Sequence, residues 1–118
     1  MSPRMPSLPA AYVGGTVTLP AGTVANLLTL IQDQLAANCP GTAVELQISA
    51  GAGNSGSIAV GAASQISGPL TQTNFAYKLT PSSPPRIYRS TYPGNSVPLG
   101  DIQVFATSTN TLNIEVWT

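Results

Sequence analysis

Apolar residues in this chain fall into short alternations broken by Gly, Pro and Ser, and in one place into a helical repeat. Val24, Leu27, Leu28, Ile31 and Leu35 follow the i, i+3, i+4, i+7 spacing of a single helical face. That spacing predicts one α-helix near residues 23–38, with Thr23 as N-cap and Asp33 and Gln34 on the polar side. Cys39-Pro40-Gly41 ends it, because proline and the residue before it resist helical continuation. A stripe of this width is commoner as core than as a binding face, and we read it as cover for a sheet.

The rest reads as strands. Residues 44–48 alternate strictly, which predicts Val44, Leu46 and Ile48 inward and Glu45 and Gln47 outward. Residues 57–61 repeat the pattern with Ile58 and Val60, and Phe75, Tyr77 and Leu79 alternate with Ala76, Lys78 and Thr80. A strand over residues 12–19 precedes the helix, and a weaker one over 87–92 runs into the turn signal Tyr92-Pro93-Gly94-Asn95. At the C-terminal end, Ile102, Val104 and Ala106 share one face and Leu112, Ile114 and Val116 another. This predicts a hairpin with Val104 opposite Ile114 and Phe105 opposite Asn113. Roughly seven short strands separated by Gly, Pro and Ser turns argue for an antiparallel β-sandwich, jelly-roll-like or a small barrel, carrying one helix. Pro3, Pro6 and Pro9 keep residues 1–11 out of a helix or central strand, so they are expected to form an extended arm before a single domain over 12–118. The arm packs either on its own domain or on a neighbouring subunit.

Composition narrows the function. Only 7% of the 118 residues are charged, four basic against four acidic, and there is no histidine. A net charge of zero removes the field that phosphate-backbone binding needs, so no nucleic acid partner is expected. No apolar run approaches the length of a membrane span and no secretory signal precedes the first strand, so neither a membrane partner nor secretion is expected. Soluble monomers ordinarily carry far more surface charge, and a surface this neutral suits a permanent assembly. Cys39 is the sole cysteine, which rules out an internal disulfide and permits synthesis in a cytoplasm.

Candidate chemistry is sparse. Gly51-Ala52-Gly53-Asn54-Ser55-Gly56 spells a GxGxxG string, but a strand follows it where dinucleotide binding requires a helix N-terminus, so we read a hairpin turn. Cys39 lacks a histidine to activate it and is expected to be a buried thiol. Asp33, Glu45, Asp101 and Glu115 are scattered singly, with neither a calcium-type cluster nor a mixed ligand set. The expectation is therefore no catalytic residue, no metal and no cofactor. The densest chemistry is Arg86-Ile87-Tyr88-Arg89-Ser90-Thr91-Tyr92, since Arg and Tyr are enriched at the energetic centres of interfaces. Alternation places Arg86 and Tyr88 on one face and Arg89 on the other, and an edge strand guarded by flanking prolines explains the segment equally well. Phe105 and Trp117 project opposite the apolar face of the predicted hairpin. With Arg86, Tyr88, Arg89 and Tyr92, and Arg4 and Met5 of the arm, they form the expected partner interface.

The second half resembles the small β-rich virion proteins of tailed bacteriophages. The resemblance rests on residues 57–61 followed by Ser64-Gln65-Ile66-Ser67, on Tyr77-Lys78-Leu79-Thr80-Pro81, and on residues 100–106 through 112–117 with their apolar-Trp ending. It implies a non-enzymatic structural part of a phage particle, foremost a capsid decoration or cement protein, located in the virion after synthesis in the host cytoplasm. The implied partners are the major capsid protein or other virion proteins, and further copies of the chain in a homo-oligomer. A head-tail connector or tail component, and a carbohydrate-binding fibre module, are the alternatives. For sugar binding, Tyr88, Tyr92, Phe105 and Trp117 are the aromatic candidates.

Overall fold

The computed structural model describes residues 12–90 and 96–118. In chain order these form β1 (Tyr12–Leu19), β2 (Ala25–Asn26), α1 (Leu27–Gln34), β3 (Thr42–Ala43), β4 (Glu45–Ala50) and β5 (Ile58–Ala62). They continue with β6 (Tyr77–Leu79), β7 (Arg86–Arg89), β8 (Val97–Pro98), a 3-10 turn at Leu99–Asp101, β9 (Ile102–Phe105) and β10 (Asn110–Trp117). Pro-free alternating runs became the longer strands, and the Gly-, Pro- and Ser-rich stretches became their connections.

One sheet has the order β1-β10-β4-β7, the other β2-β9-β5-β6, and β3 pairs with β8 in a small ribbon. Strand neighbours are antiparallel throughout. Compared place by place, β1 matches β2, β10 matches β9, β4 matches β5 and β7 matches β6. Strands adjacent in the chain thus take the same place in opposite sheets, which is the double Greek-key order of a jelly roll.

The core lies between the sheets. Val17, Leu19, Leu46, Ile48, Leu112, Ile114 and Val116 from one inner face meet Ile58, Val60, Leu79, Ile102 and Val104 from the other in one buried cluster. The expected terminal hairpin is not formed: β10 pairs with β1 and β4, whereas β9 pairs with β2 and β5. The two apolar faces were correctly located, but they meet across the core instead of side by side within one sheet. Burial alternates identically in both arrangements, so alternation alone does not select the partner. The same correction applies at residues 51–56, which link β4 to β5 across the sheets and so make no hairpin turn.

The helix is shorter than expected. Ala25 and Asn26 extend along β9, opposite Val104 and Gln103, so the helix starts at Leu27. Its cap is Asn26, not Thr23: the Asn26 side chain accepts a hydrogen bond from the Thr29 N–H at 3.3 Å. Leu27, Leu30 and Ile31 are buried, while Leu28 is only half-buried. The helix lies along one open side of the sandwich. There the Gln34 carboxamide accepts from the Thr18 N–H at 2.8 Å and donates to the Thr18 carbonyl at 3.0 Å. Leu35 packs close over Gly15, where a Cβ would stand 2.6 Å from Leu35 Cδ2 and push that side chain aside. Val44 also departs from expectation: β4 begins at Glu45, and Val44 is 54% exposed while Leu46, Ile48 and Ala50 point inward.

Candidate interaction surface

The registers of three strand pairs assemble a row that no single segment contains. Tyr12 lies opposite Trp117, Trp117 opposite Glu45, and Glu45 opposite Arg89, all on the outer face of the β1-β10-β4-β7 sheet. Two residues along, the next outward row is Gly14, Glu115, Gln47 and Ile87. The rings of Tyr12 and Trp117 sit 5.3 Å apart and tilted by 50°. The Tyr12 hydroxyl donates to Glu115 Oε1 at 3.0 Å. That carboxylate acceptor, with lesser contributions from desolvation and from the Glu115 charge, holds the phenol above its ordinary pKa. The Tyr12 ring also fills the space over Gly14, where a Cβ would collide with the phenol oxygen.

Arg89 Nε donates to Glu45 Oε1 at 3.1 Å in an exposed ion pair. Ile87, 42% exposed, stands in the neighbouring row, and Val44 precedes Glu45 with 54% of its surface in solvent. Tyr12 and Trp117 thus lie at one end of these rows and Ile87 at the other, with Glu45 ion-paired to Arg89 and Glu115 accepting from the Tyr12 hydroxyl between them. Exposed aromatic and aliphatic side chains set among polar groups are a common composition of protein contacts.

Arg86 and Tyr88 do share the opposite face of β7, as alternation predicts, and there Arg86, itself exposed, stacks on two tyrosines. The Arg86 guanidinium lies 5.0 Å from the Tyr88 ring centroid and 5.2 Å from that of Tyr77 on β6. These two strands are the edges of the two sheets, so the Arg–Tyr stack joins them along the side opposite the helix. Lys78 sits 4.8 Å over Phe75 nearby. Phe105 is half-buried on the outer face of the second sheet, opposite Ala59. Phe105 and Trp117 therefore face away from each other, because their strands belong to different sheets. Arg4, Met5, Tyr92 and the arm over residues 1–11 lie outside the described residues. Of the expected interface residues, the fold brings together Trp117 and Arg89, and joins to them Tyr12, Ile87 and Val44, which sequence reasoning did not single out.

The other candidate groups, the glycine loop, Cys39 and Asp101, are occupied or buried inside the fold. In the loop joining β4 to β5, Gly51 N–H donates to the Thr111 carbonyl, and the Asn54 carboxamide clasps both backbone groups of Thr111. This glycine loop spends those donors on its own sheet and does not aim them at a phosphate. Cys39 is buried, and desolvation pushes its thiol pKa up. Asp101 accepts from the Ser64 N–H at 2.9 Å and from the Ser64 hydroxyl. Among the described residues no three of His, Cys, Asp and Glu gather to hold a metal, and no helix is long and apolar enough to cross a membrane. No family model, no curated protein and no solved structure matches this chain.

Proposed function

We propose that this protein is a non-enzymatic structural subunit of a virus particle, a capsid decoration or cement protein that attaches through the outer face of the β1-β10-β4-β7 sheet. The observation that carries the reading is the jelly-roll strand order, an architecture used in viral capsid and lectin domains among others. Fold analogy alone does not assign function. The site adds to it: exposed Tyr12, Val44 and Ile87 and half-buried Trp117, with Glu45 ion-paired to Arg89 and Glu115 accepting from the Tyr12 hydroxyl, suit docking on a protein lattice. The resemblance of the second half to small phage virion proteins points the same way. A head-tail connector is the alternative within the particle, and copy number separates the two.

The test is quantitative mass spectrometry of purified particles made with the wild-type chain and with Ile87→Asp/Trp117→Ala. A decoration protein is present at a copy number comparable with the major capsid protein, and the double variant loses occupancy by about tenfold or more if the patch is an energetic centre. A few copies per particle would favour the connector, and absence from particles would end the reading. One observation favours a carbohydrate module as the second reading: Tyr12 and Trp117 form an outward aromatic pair beside the planar polar groups of Glu115 and Gln47. A glycan array with wild type and Trp117→Ala separates the two.

A further inference from the structure

A jelly roll of two four-stranded sheets has four edges, and three are guarded in this chain. The β7 edge is four residues long, carries Arg86 and Arg89, and follows Pro84-Pro85. The β6 edge has three residues, contains Lys78 and is followed shortly by Pro81. The β2 edge has two residues and turns at once into the helix. Short length, charge and proline are the usual protections against unwanted strand pairing.

The β1 edge has none of these. Tyr12-Val13-Gly14-Gly15-Thr16-Val17-Thr18-Leu19 is eight residues long, uncharged and free of proline. Which of its backbone groups face outward follows from two independent sets of hydrogen bonds. Gln34 takes both the N–H and the carbonyl of Thr18, so Thr18 points away from β10. On β10, Thr111 directs its own N–H and carbonyl to Asn54 and Gly51 on the β4 side, so its even-numbered neighbours serve β1. In an antiparallel ladder the bonded and non-bonded positions alternate, so Val13, Gly15, Val17 and Leu19 bond β10 while Tyr12, Gly14 and Thr16 face outward. Thr18 is closed by the helix. The backbone groups of Tyr12, Gly14 and Thr16 have no partner among the described residues.

We propose that this edge pairs with the same edge of a second copy, antiparallel about a two-fold axis at Gly14, and continues the sheet across a homodimer. The three open positions are symmetric about Gly14: Tyr12 comes opposite Thr16 of the second copy, Gly14 opposite Gly14, and Thr16 opposite Tyr12. Each of these pairs exchanges an N–H and a carbonyl both ways, so the open groups of one copy satisfy those of the other without remainder. No like charges meet, because β1 has none and the chain as a whole has zero net charge. The chain's own first residues are a poor occupant. Pro3, Pro6 and Pro9 fall at both odd and even positions, so a strand built from them lacks a donor whichever parity faces β1. The Thr16 side chain points to the outer face, where its hydroxyl donates to Asn113 Oδ1 at 2.9 Å, so it does not cover the edge.

This inference does not rest on the virion reading, and its test uses the isolated full-length chain without particles. Sedimentation equilibrium over a concentration series should give a monomer–dimer equilibrium for wild type. Thr16→Pro removes one outward donor per copy and leaves the backbone bonds to β10 in place, and Thr16→Lys places the usual edge guard; each should weaken dimerisation by about tenfold or more. Both also give up the Thr16–Asn113 side-chain bond, for which Thr16→Val, keeping the outward donor and expected to dimerise like wild type, is the control. Ile87→Lys, on the opposite edge of the same sheet, should dimerise like wild type. Hydrogen exchange of the wild-type chain supplies a readout that needs no variant: the Gly14 and Thr16 amides should become protected as concentration rises. A wild-type chain that stays monomeric to about 1 mM would overturn the proposal, since even a weak specific dimer shows there. So would a dimer unaffected by both Thr16→Pro and Thr16→Lys, or one in which Ile87→Lys or Thr16→Val is as damaging, or one whose protection appears elsewhere.

Discussion

Replacing Asn54 by Ala tests whether neutral amides hold the sandwich together where a more charged protein would use ion pairs. Asn54 Oδ1 accepts from the Thr111 N–H at 2.8 Å and from its hydroxyl at 3.2 Å, and Asn54 Nδ2 donates to the Thr111 carbonyl at 2.7 Å. These bonds clasp the start of β10 to the loop leaving β4. A net contribution of about 0.5–1.5 kcal/mol for each of the three gives a ceiling of roughly 4.5 kcal/mol. Both residues are half-exposed and the Thr111 hydroxyl can turn to water, which lowers the expectation to about 2 kcal/mol. With an unfolding entropy of about 2.1 cal/mol/K per residue over 118 residues, that loss lowers Tm by roughly 8 °C. Thermal unfolding followed by circular dichroism, with urea titration for the free energy, reads both numbers. Asn54→Asp sharpens the test, because the carboxylate keeps the acceptor for the Thr111 N–H but turns a lone pair toward the Thr111 carbonyl. It should be as damaging as Ala at neutral pH and recover on acidification, when the protonated acid again donates. A loss below about 0.5 kcal/mol for Ala, or an Asp variant as stable as wild type at neutral pH, would refute the reasoning.

Ile31→Ala should cost about 2–5 kcal/mol in urea unfolding and Leu28→Ala under half of that, since only Ile31 is fully buried; equal losses would mean the helix is rotated from its described orientation. The Cys39 thiol, pushed above its ordinary pKa by burial, should react slowly with iodoacetamide until the chain unfolds. Because the folded state holds that proton more tightly, its contribution to stability falls as pH rises from the unfolded to the folded thiol pKa; a Cys39→Ala chain lacking this slope is the control, and an unchanged slope would exclude the thiol as its source. Glu115→Gln removes the carboxylate that raises the Tyr12 phenol, so ultraviolet titration should show one tyrosine ionising at lower pH; no change would break the link between them.

Much of the fold was legible because burial alternation is a local property of each strand. The inward sets Leu46/Ile48, Ile102/Val104 and Leu112/Ile114/Val116 follow directly from parity, as does the 12–19 strand. Pairing was not legible, since Val104 and Ile114 bury equally well as cross-strand neighbours or as opposing faces of two sheets. The helix start was misplaced because Val24 continues the helical spacing, while β9 recruits Ala25 and Asn26 as a strand. Trp117 and Arg89 were visible as candidate site residues through their chemistry. Tyr12 and Ile87 were not, because their significance comes from rows assembled by strands far apart in the chain. Val44 was assigned inward by a parity that holds only from Leu46 onward.

The sparse charge and the abundant Asn, Gln, Ser and Thr have one structural explanation, which leads to a prediction about salt. Gln34 satisfies the backbone of Thr18, Asn54 that of Thr111, Asn110 both backbone groups of Ser55, and Gln72 the carbonyls of Ser57 and Phe105. Asn74 donates to the carbonyls of Ser67 and Pro69. An amide both donates and accepts, so one neutral side chain can take the two backbone groups that an edge or a strand end leaves open, without the desolvation cost of a charge. The ion pair described, Arg89–Glu45, is exposed, and such pairs contribute about 0–1 kcal/mol. Raising NaCl from about 0.05 to 0.5 M shortens the screening length severalfold and should therefore change the unfolding free energy by less than about 0.5 kcal/mol. The same insensitivity is expected of association through β1, whose contacts are backbone hydrogen bonds between uncharged residues. A salt-induced loss above about 1.5 kcal/mol in urea titrations at fixed pH would show that charge, not amide chemistry, holds this sandwich together.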